Sequence, residues 1–338
     1  MNIKKISQLA GVSQTTVSFV INNREGISEE TRKKVQKVIE QEGYIPNINS
    51  RRLSMKKSFN IAFINSESYA MFSDAFANDT VKAAVRKAGD MGYSVMLLPE
   101  MNLKNRSFLT TAIGQGNVDG AIAMHDLDPS ACVILEENHI PFVAIDSHNP
   151  SAPYHCVTMN YEMQAYRVCR YLIEQGHKNI AYLGIESLPD FYLRCMKGYM
   201  NALSEAHLPI NPAWIMSASD DGTNVPEMAM KELVSALSDD EMPTAIFCVN
   251  DLTAIGAING LRRRGYSVPD DVSVISIDDI ASAEYFIPPL TTLHIDGAAM
   301  GEKAMEILHR IISGEDVERA YVMQPGEIMV RETVKKIG

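Results

Sequence analysis

From Asn60 onward, short apolar runs alternate with helix-length stretches, a rhythm that few architectures accept. The runs lie at 61–64 (IAFI), 94–98 (SVMLL), 120–124 (GAIAM), 142–145 (FVAI), 180–184 (IAYLG), 245–249 (AIFCV) and 272–277 (VSVISI). Helical stretches at 80–91, 163–175, 191–206 and 224–237 fall between them. Strands that are apolar throughout are buried on both faces, as in parallel sheets covered by helices. Seven such runs are many for one sheet, so two similar α/β subdomains are expected. In sheets of this kind ligands bind outside the carboxyl ends of the strands.

The segment before this rhythm is different. Ile3, Ile6, Leu9 and Ala10 form a short apolar stripe, Gly11 breaks it, and Ser13 is placed to cap a second helix. On that helix Val17, Val20 and Ile21 share an apolar face, while Gln14, Thr15, Thr16, Ser18, Phe19 and Asn22 occupy the remainder. Two short helices joined by a glycine-containing turn match a helix-turn-helix, whose second helix enters a DNA major groove. The pattern alone equally describes two ordinary amphipathic helices. Ser28 then caps a third helix with Glu29 and Glu30 in its first turn, and Gly43 is a plausible stop.

Charge distribution favours a nucleic-acid partner for this segment. The whole chain carries a net charge of -11, but residues 1–57 hold eleven Lys and Arg against five Glu, a balance of +6. The remainder therefore carries -17. Concentrated basic charge supplies the salt-dependent part of DNA affinity, and the acidic body disfavours wrapping. No apolar run approaches the roughly 20 residues needed to cross a bilayer, and the N-terminus lacks the apolar core of a secretory signal. A cytoplasmic protein with no membrane partner is expected.

Several stretches together resemble one family. AGVSQTTVSFVINN, ISEETRKKV and YIPNINSRRL are similar to the DNA-binding headpiece and hinge of the lactose-repressor/galactose-repressor family of bacterial transcription regulators. The likeness continues through HKNIAYLG, VNDLTAIGAI, VPDDVSVISIDD and PPLTT, in order along nearly the whole chain. It implies an all-α helix-turn-helix headpiece over 1–45, a hinge over 46–57, and a two-lobed α/β effector and dimerisation domain of the type I periplasmic-binding-protein kind, with parallel sheets, over 58–338. Three crossings between lobes, near 158, 292 and 320, would divide that domain into an N-lobe (58–158 and 293–319) and a C-lobe (159–292 and 320–338).

The resemblance also implies roles. Gln14, Thr15, Thr16, Ser18, Phe19 and Asn22 would face operator DNA. In the hinge, Leu53 would wedge into the minor groove, with Arg51 and Arg52 on phosphate or groove edges. Sequence alone equally permits the hinge to be a flexible linker. Asp146, Asn250 and Asp278 follow apolar runs and match effector-contacting positions, although such residues are commonly turn formers or helix caps. Phe72 matches an apolar contact near the cleft mouth. A homodimeric repressor controlled by a small sugar-like ligand follows as the expectation, with control by a protein partner as the alternative. The last residues leave no room for a heptad tail.

Some positions depart from the family pattern. Cys195 stands where an arginine is usual, with Arg194 as its neighbour. Ile295 replaces a glutamine, and an aromatic near Asn224 is replaced around Asp221; the one tryptophan, Trp214, is seven residues earlier. Phe19 replaces an arginine that can bind guanine through two hydrogen bonds. It either packs on its own protein or meets a thymine methyl group. No cofactor or metal is expected. His148, His155 and Cys156 cluster without ligand spacing, and five scattered cysteines form no CxxC pair. There is no GxSxG elbow, P-loop, GxGxxG fingerprint or HExxH motif, so an enzyme is not expected.

Overall fold

The computed structural model describes residues 2–22, 25–44, 52, 55, 57–64, 75–98, 106–113, 116–149, 151–186, 189–218, 225–238 and 241–338. Backbone contacts divide the chain into a unit ending at Phe59 and a second running from Asn60 to Gly338.

In the first unit, α1 (Ile3–Ala10), α2 (Gln14–Ile21) and α3 (Glu29–Gln41) surround a small core of Ile6, Ala10, Val17, Val20 and Val35. Gly11 ends α1 in the left-handed region at φ 62°, a conformation glycine adopts without Cβ strain. Ser13 then caps α2, its hydroxyl accepting the Thr16 N–H at 3.0 Å. Leu9, expected on the apolar stripe, is instead 50% exposed, because Ile6 and Ala10 already fill the narrow contact face of this short helix. Of the hinge, Arg52 and Met55 are half-buried in helical backbone, whereas Arg51 and Leu53 lie outside the described residues.

The second unit contains two six-stranded sheets. The first is built from β1 (Asn60–Ile64), β2 (Ser94–Leu98), β3 (Gly120–Met124), β4 (Phe142–Ile145), β5 (His155–Thr158) and β11 (Ala320–Val322), in spatial order β11-β5-β4-β3-β1-β2. The second is built from β6 (Ile180–Ile185), β7 (Ile215–Ala218), β8 (Ala245–Cys248), β9 (Ser273–Asp278), β10 (Thr291–His294) and β12 (Ile328–Met329), in order β12-β10-β9-β8-β6-β7. All pairs are parallel except β10 with β12. Each of the seven apolar runs is a strand, and β3, β4, β6 and β8 are buried along their whole length.

Helices α4 (Ala75–Asp90), α5 (Arg106–Ile113), α6 (Pro129–Glu137), α7 (Tyr161–Glu174), α8 (Pro189–Glu205), α9 (Val225–Ala236), α10 (Asp251–Arg263) and α11 (Gly297–Ile312) complete the unit. α7 and α8 meet closely at Gly198, where a Cβ would lie 2.1 Å from the Glu162 carbonyl oxygen. Trp214 is a core residue of the second lobe, with its indole N–H donated to the Glu241 carbonyl at 3.1 Å.

The chain passes between the two sheets three times. The first passage follows Thr158, the last residue of β5, and precedes α7. The second follows His294, because β10 stays in the second sheet through that residue, and the third lies at 323–327, because β11 pairs with β5 in the first sheet. Short polar-edged strands such as these have no apolar run to mark them.

Beneath the second sheet's carboxyl end lies the fully buried Asp251. It accepts the Ser276 and Thr292 hydroxyls, each at 2.6 Å, and the Ile280 N–H at 2.8 Å, joining α10, β9, β10 and the turn after β9. Burial pushes its carboxyl up to about 6 against these three donors. The folded chain therefore holds a proton that the unfolded chain has released, so this group's stabilisation declines as pH rises from about 4 through 6. Urea midpoints compared between wild type and Asp251→Asn should show that slope only in wild type. Asp251→Ala, which strands three buried donors, should cost at least about 3 kcal/mol at any pH.

Candidate functional site

On α2, Gln14 and Thr15 are exposed, and Thr16, Ser18, Phe19 and Asn22 are half-buried. Three of the expected DNA-facing side chains, Thr16, Ser18 and Asn22, already have local partners. The Thr16 hydroxyl bonds the Ser13 hydroxyl at 2.9 Å, and the Asn22 amide donates to the Ser18 carbonyl at 2.9 Å. The side chains with the least local engagement are therefore Gln14 and Thr15, at the N-terminal end of the helix. They are the most exposed of the six expected side chains.

Within the second unit, strand ends from both lobes converge on one cavity of about 40 Å3. Asp146 lies one residue beyond β4, Asn250 caps α10 after β8, and Asp278 ends β9; all three line it. Phe76, Phe191, Ile277 and Ile295 supply apolar walls. A second compartment of about 130 Å3 shares Phe76, Asp278 and Ile295. Asn250 both lines the first cavity and caps α10. Its Oδ1 accepts the Thr253 N–H at 2.9 Å as a helix cap, leaving the amide nitrogen as the group it can offer a ligand.

Cys195 and Arg194 do not join them. α8 turns Cys195 inward, where it is fully buried in the core and its thiol is pushed up by burial and by the Asp278 and Asp146 carboxylates. Arg194, one residue along the same helix, is half-buried and lies outside the cavity lining. Phe72 and Asp221 lie outside the described residues.

His125 and His148 occupy the same cavity and were missed as site residues. His125 Nδ1 is 3.3 Å from Asp146 Oδ2, and His148 Nε2 is 3.9 Å from that same oxygen. The other carboxylate oxygen accepts the Tyr161 hydroxyl. The signal for His125 was available, since it follows the GAIAM strand as Asp146 follows FVAI. His148 stood out only beside His155 and Cys156, and those two lie elsewhere: His155 Nδ1 is 3.2 Å from the Glu318 carbonyl oxygen, and Cys156 is buried within β5.

The loop after β4 is held by Asp126, which accepts the His148 N–H at 2.9 Å, the Tyr154 hydroxyl at 2.7 Å and the Ser147 hydroxyl at 2.5 Å. Phe191 and Tyr161 lie against the His148 ring, with centroids at 5.2 and 5.4 Å. Burial opposes ionisation of Asp146, but the His125 hydrogen bond, the nearby imidazoles and the Tyr161 hydroxyl outweigh it and hold the carboxyl at about 2. Burial pushes His148 below its ordinary value despite the adjacent carboxylate. The cavity thus presents a carboxylate beside imidazoles inside an aromatic and aliphatic shell, an arrangement suited to binding.

A larger open depression, about 610 Å3, lies along α7 and α8. Its polar groups are already paired on the surface, Tyr166 with Glu205 at 2.6 Å and Asn201 with Glu162 at 3.0 Å. The inter-lobe cavity is therefore the better candidate.

Comparison with known proteins agrees with this architecture. Residues 2–47 match the model for bacterial regulatory proteins of the lacI family, and residues 169–334 match a periplasmic binding protein-like domain. The chain is 35% identical over 340 residues to the HTH-type transcriptional repressor PurR of Vibrio parahaemolyticus, covering 99% of each chain. It is 32% identical to the probable HTH-type transcriptional repressor ExuR of Bacillus subtilis, covering 100% of this chain and 99% of that one. Among solved structures, the lac repressor dimer bound to operator and the anti-inducer ONPF aligns with a TM-score of 0.77 at 23% identity, over 99% of each chain. The CelR-cellobiose complex aligns at 0.73 and 24% identity, over 98% of this chain and 99% of that one. The fold, the two family models and full-length relatives agree: the chain belongs to the lacI family of bacterial regulatory proteins.

Proposed function

We propose that the chain is a homodimeric transcriptional repressor whose affinity for operator DNA is set by a small polar ligand held between the lobes of its second unit. The observation that carries this reading is the convergence of Asp146, Asn250 and Asp278, from three separate strand ends, on one cavity. A carboxylate or amide at such a position hydrogen-bonds hydroxyl or amine groups of a small molecule. The lac repressor and CelR structures, with ONPF and cellobiose respectively, support an inter-lobe ligand in this architecture. Among the described residues no helix is long and apolar enough to cross a membrane, which suits a DNA-binding role in the cytoplasm.

A ligand that binds one arrangement of the lobes better than another biases operator affinity through that difference alone, typically by 1–3 kcal/mol. Pairing two chains would place two α2 helices on successive major grooves of a pseudo-palindromic site. Hinge residues Arg51, Arg52 and Leu53 would act in the minor groove between them.

Two measurements test this. A thermal-shift screen against sugars, sugar acids, amines and nucleobases should reveal a ligand, because one present at a hundred times its Kd stabilises the folded form by about 2.7 kcal/mol. Asp278→Asn keeps the side-chain size and removes the charge at a position whose backbone φ is 129°. It should weaken that ligand by roughly 10- to 100-fold, the loss of a charged hydrogen-bond partner, while ligand-free operator binding stays unchanged. Regulation that survives this substitution would transfer control to a protein partner.

In the headpiece, Phe19 would contact a thymine methyl group, with Gln14 and Thr15 on neighbouring base edges. Phe19→Arg should then change the preferred base at one position per half-site by roughly 1–3 kcal/mol in a binding-site selection. An unchanged profile would assign Phe19 to packing on its own protein.

A further inference from the structure

We propose that His125, Asp146 and His148 form a binding site for a divalent transition-metal ion of the zinc class. This rests on the reading of the inter-lobe cavity as a ligand site and gives that site a specific chemistry.

The three ligating atoms lie within 4.8 Å of one another, and all three residues line the same cavity. With metal–ligand bonds of roughly 2.0–2.2 Å, neighbouring donors in a tetrahedral site sit roughly 3.3 Å apart. The His125–Asp146 separation of 3.3 Å already has that value, and the His148–Asp146 separation of 3.9 Å needs to close by only a fraction of an ångström. Two imidazoles and one carboxylate with positions left open are a ligand set that zinc and its neighbours accept. The cavity of about 40 Å3 has room for an ion and a small donor atom beside it.

The surroundings match what such a site requires. Asp146 gives one oxygen to the histidine side, and the other is anchored by the Tyr161 hydroxyl, the outer-shell support that orients metal-binding carboxylates. Asp126 fixes the backbone of His148, and Phe191 and Tyr161 hold its ring.

The placement and charge of the cavity residues point toward a cation. His125 and Asp146 follow adjacent paired strands, which brings their side chains together at the carboxyl end of the first sheet. Asp146 and Asp278 line the inner cavity, with no lysine or arginine among its described lining residues, whereas Asp279 and Asp79 of the adjoining compartment are paired with Arg331 at 2.6 Å and Lys82 at 2.9 Å. The position where the family usually carries an arginine is Cys195. Two carboxylates in so small a cavity favour a cation, and a bound metal would in turn supply the positive centre for an oxygen-donor ligand.

The test uses untagged full-length protein stripped with a chelator and titrated with Co2+, whose visible spectrum reports coordination, and then with Zn2+. One Co2+ per chain is expected, with the strong d–d absorption of a tetrahedral nitrogen–oxygen site, displaced stoichiometrically by Zn2+. His125→Gln and His148→Gln should each lose binding by at least 100-fold, and Tyr161→Phe by roughly tenfold or more. Urea midpoints would establish that the variants fold. No bound cobalt in the wild-type protein, or a spectrum and affinity unchanged in folded His148→Gln, overturns the proposal. The two readings fail separately. An organic ligand that depends on Asp278 while no metal binds would refute the metal site alone. Metal bound with the expected spectrum, while neither metal nor any organic compound alters operator affinity, would establish the site and refute ligand control.

Discussion

The buried carboxylate of Asp251 is the interaction on which the candidate site depends. Its partners lie on three elements adjacent in space and distant in sequence: Ser276 on β9, Thr292 on β10 and Ile280 in the turn between them. An uncompensated carboxylate here would be costly, so satisfying it fixes how those elements align. Asn250 precedes Asp251 directly, and Asp278 stands between two of its partners. The ligand-facing positions of the second lobe are therefore set from below by a group that lies outside the cavity lining. The first lobe uses the same device in Asp126, whose three hydrogen bonds fix the loop carrying His148.

Much of this was legible in the sequence, for identifiable reasons. Six of the seven apolar runs are largely buried strands, whose burial on both faces demands continuous apolarity that is visible in one dimension; the seventh, β2, is an edge strand with Leu97 52% exposed. β5 (HCVT) and β10 (TTLH) were not visible, because their polar side chains are satisfied by partners remote in sequence. Thr291, for example, is buried while its hydroxyl accepts the Arg331 N–H at 2.9 Å. The two-residue β12 and three-residue β11 are too short to carry any periodicity.

Site residues divide in the same way. Asp146, Asn250 and Asp278 were singled out by strand-end position together with the family resemblance; strand position alone would equally have admitted Asp251, which lies outside the cavity lining. Arg194 and Cys195 were chosen by family position, and the turn of α8 buried one and kept the other out of the cavity. His125 obeyed the strand-end rule and escaped notice because it had no counterpart among the family's expected contacts. Proximity in sequence misled for His148, whose real companions are 23 residues upstream and two residues upstream, on loops that only the sheet order brings together.

The late crossing into the first lobe has a consequence for how the molecule is made. By residue 158 five of that lobe's six strands exist, but β11, which pairs with β5, arrives only at 320–322. α11, which packs so tightly on α4 that a Cβ at Gly301 would lie 2.2 Å from the Thr80 carbonyl oxygen, arrives only at 297–312. Throughout synthesis of the intervening lobe, the nascent first lobe carries an unpaired parallel edge and an uncovered apolar helix face. Such an edge is a template for the wrong strand. Between residues 158 and 320, close to half of the chain, β5 waits for the strand that covers its outer edge, and the second lobe is finished later still, by β12 at 328–329.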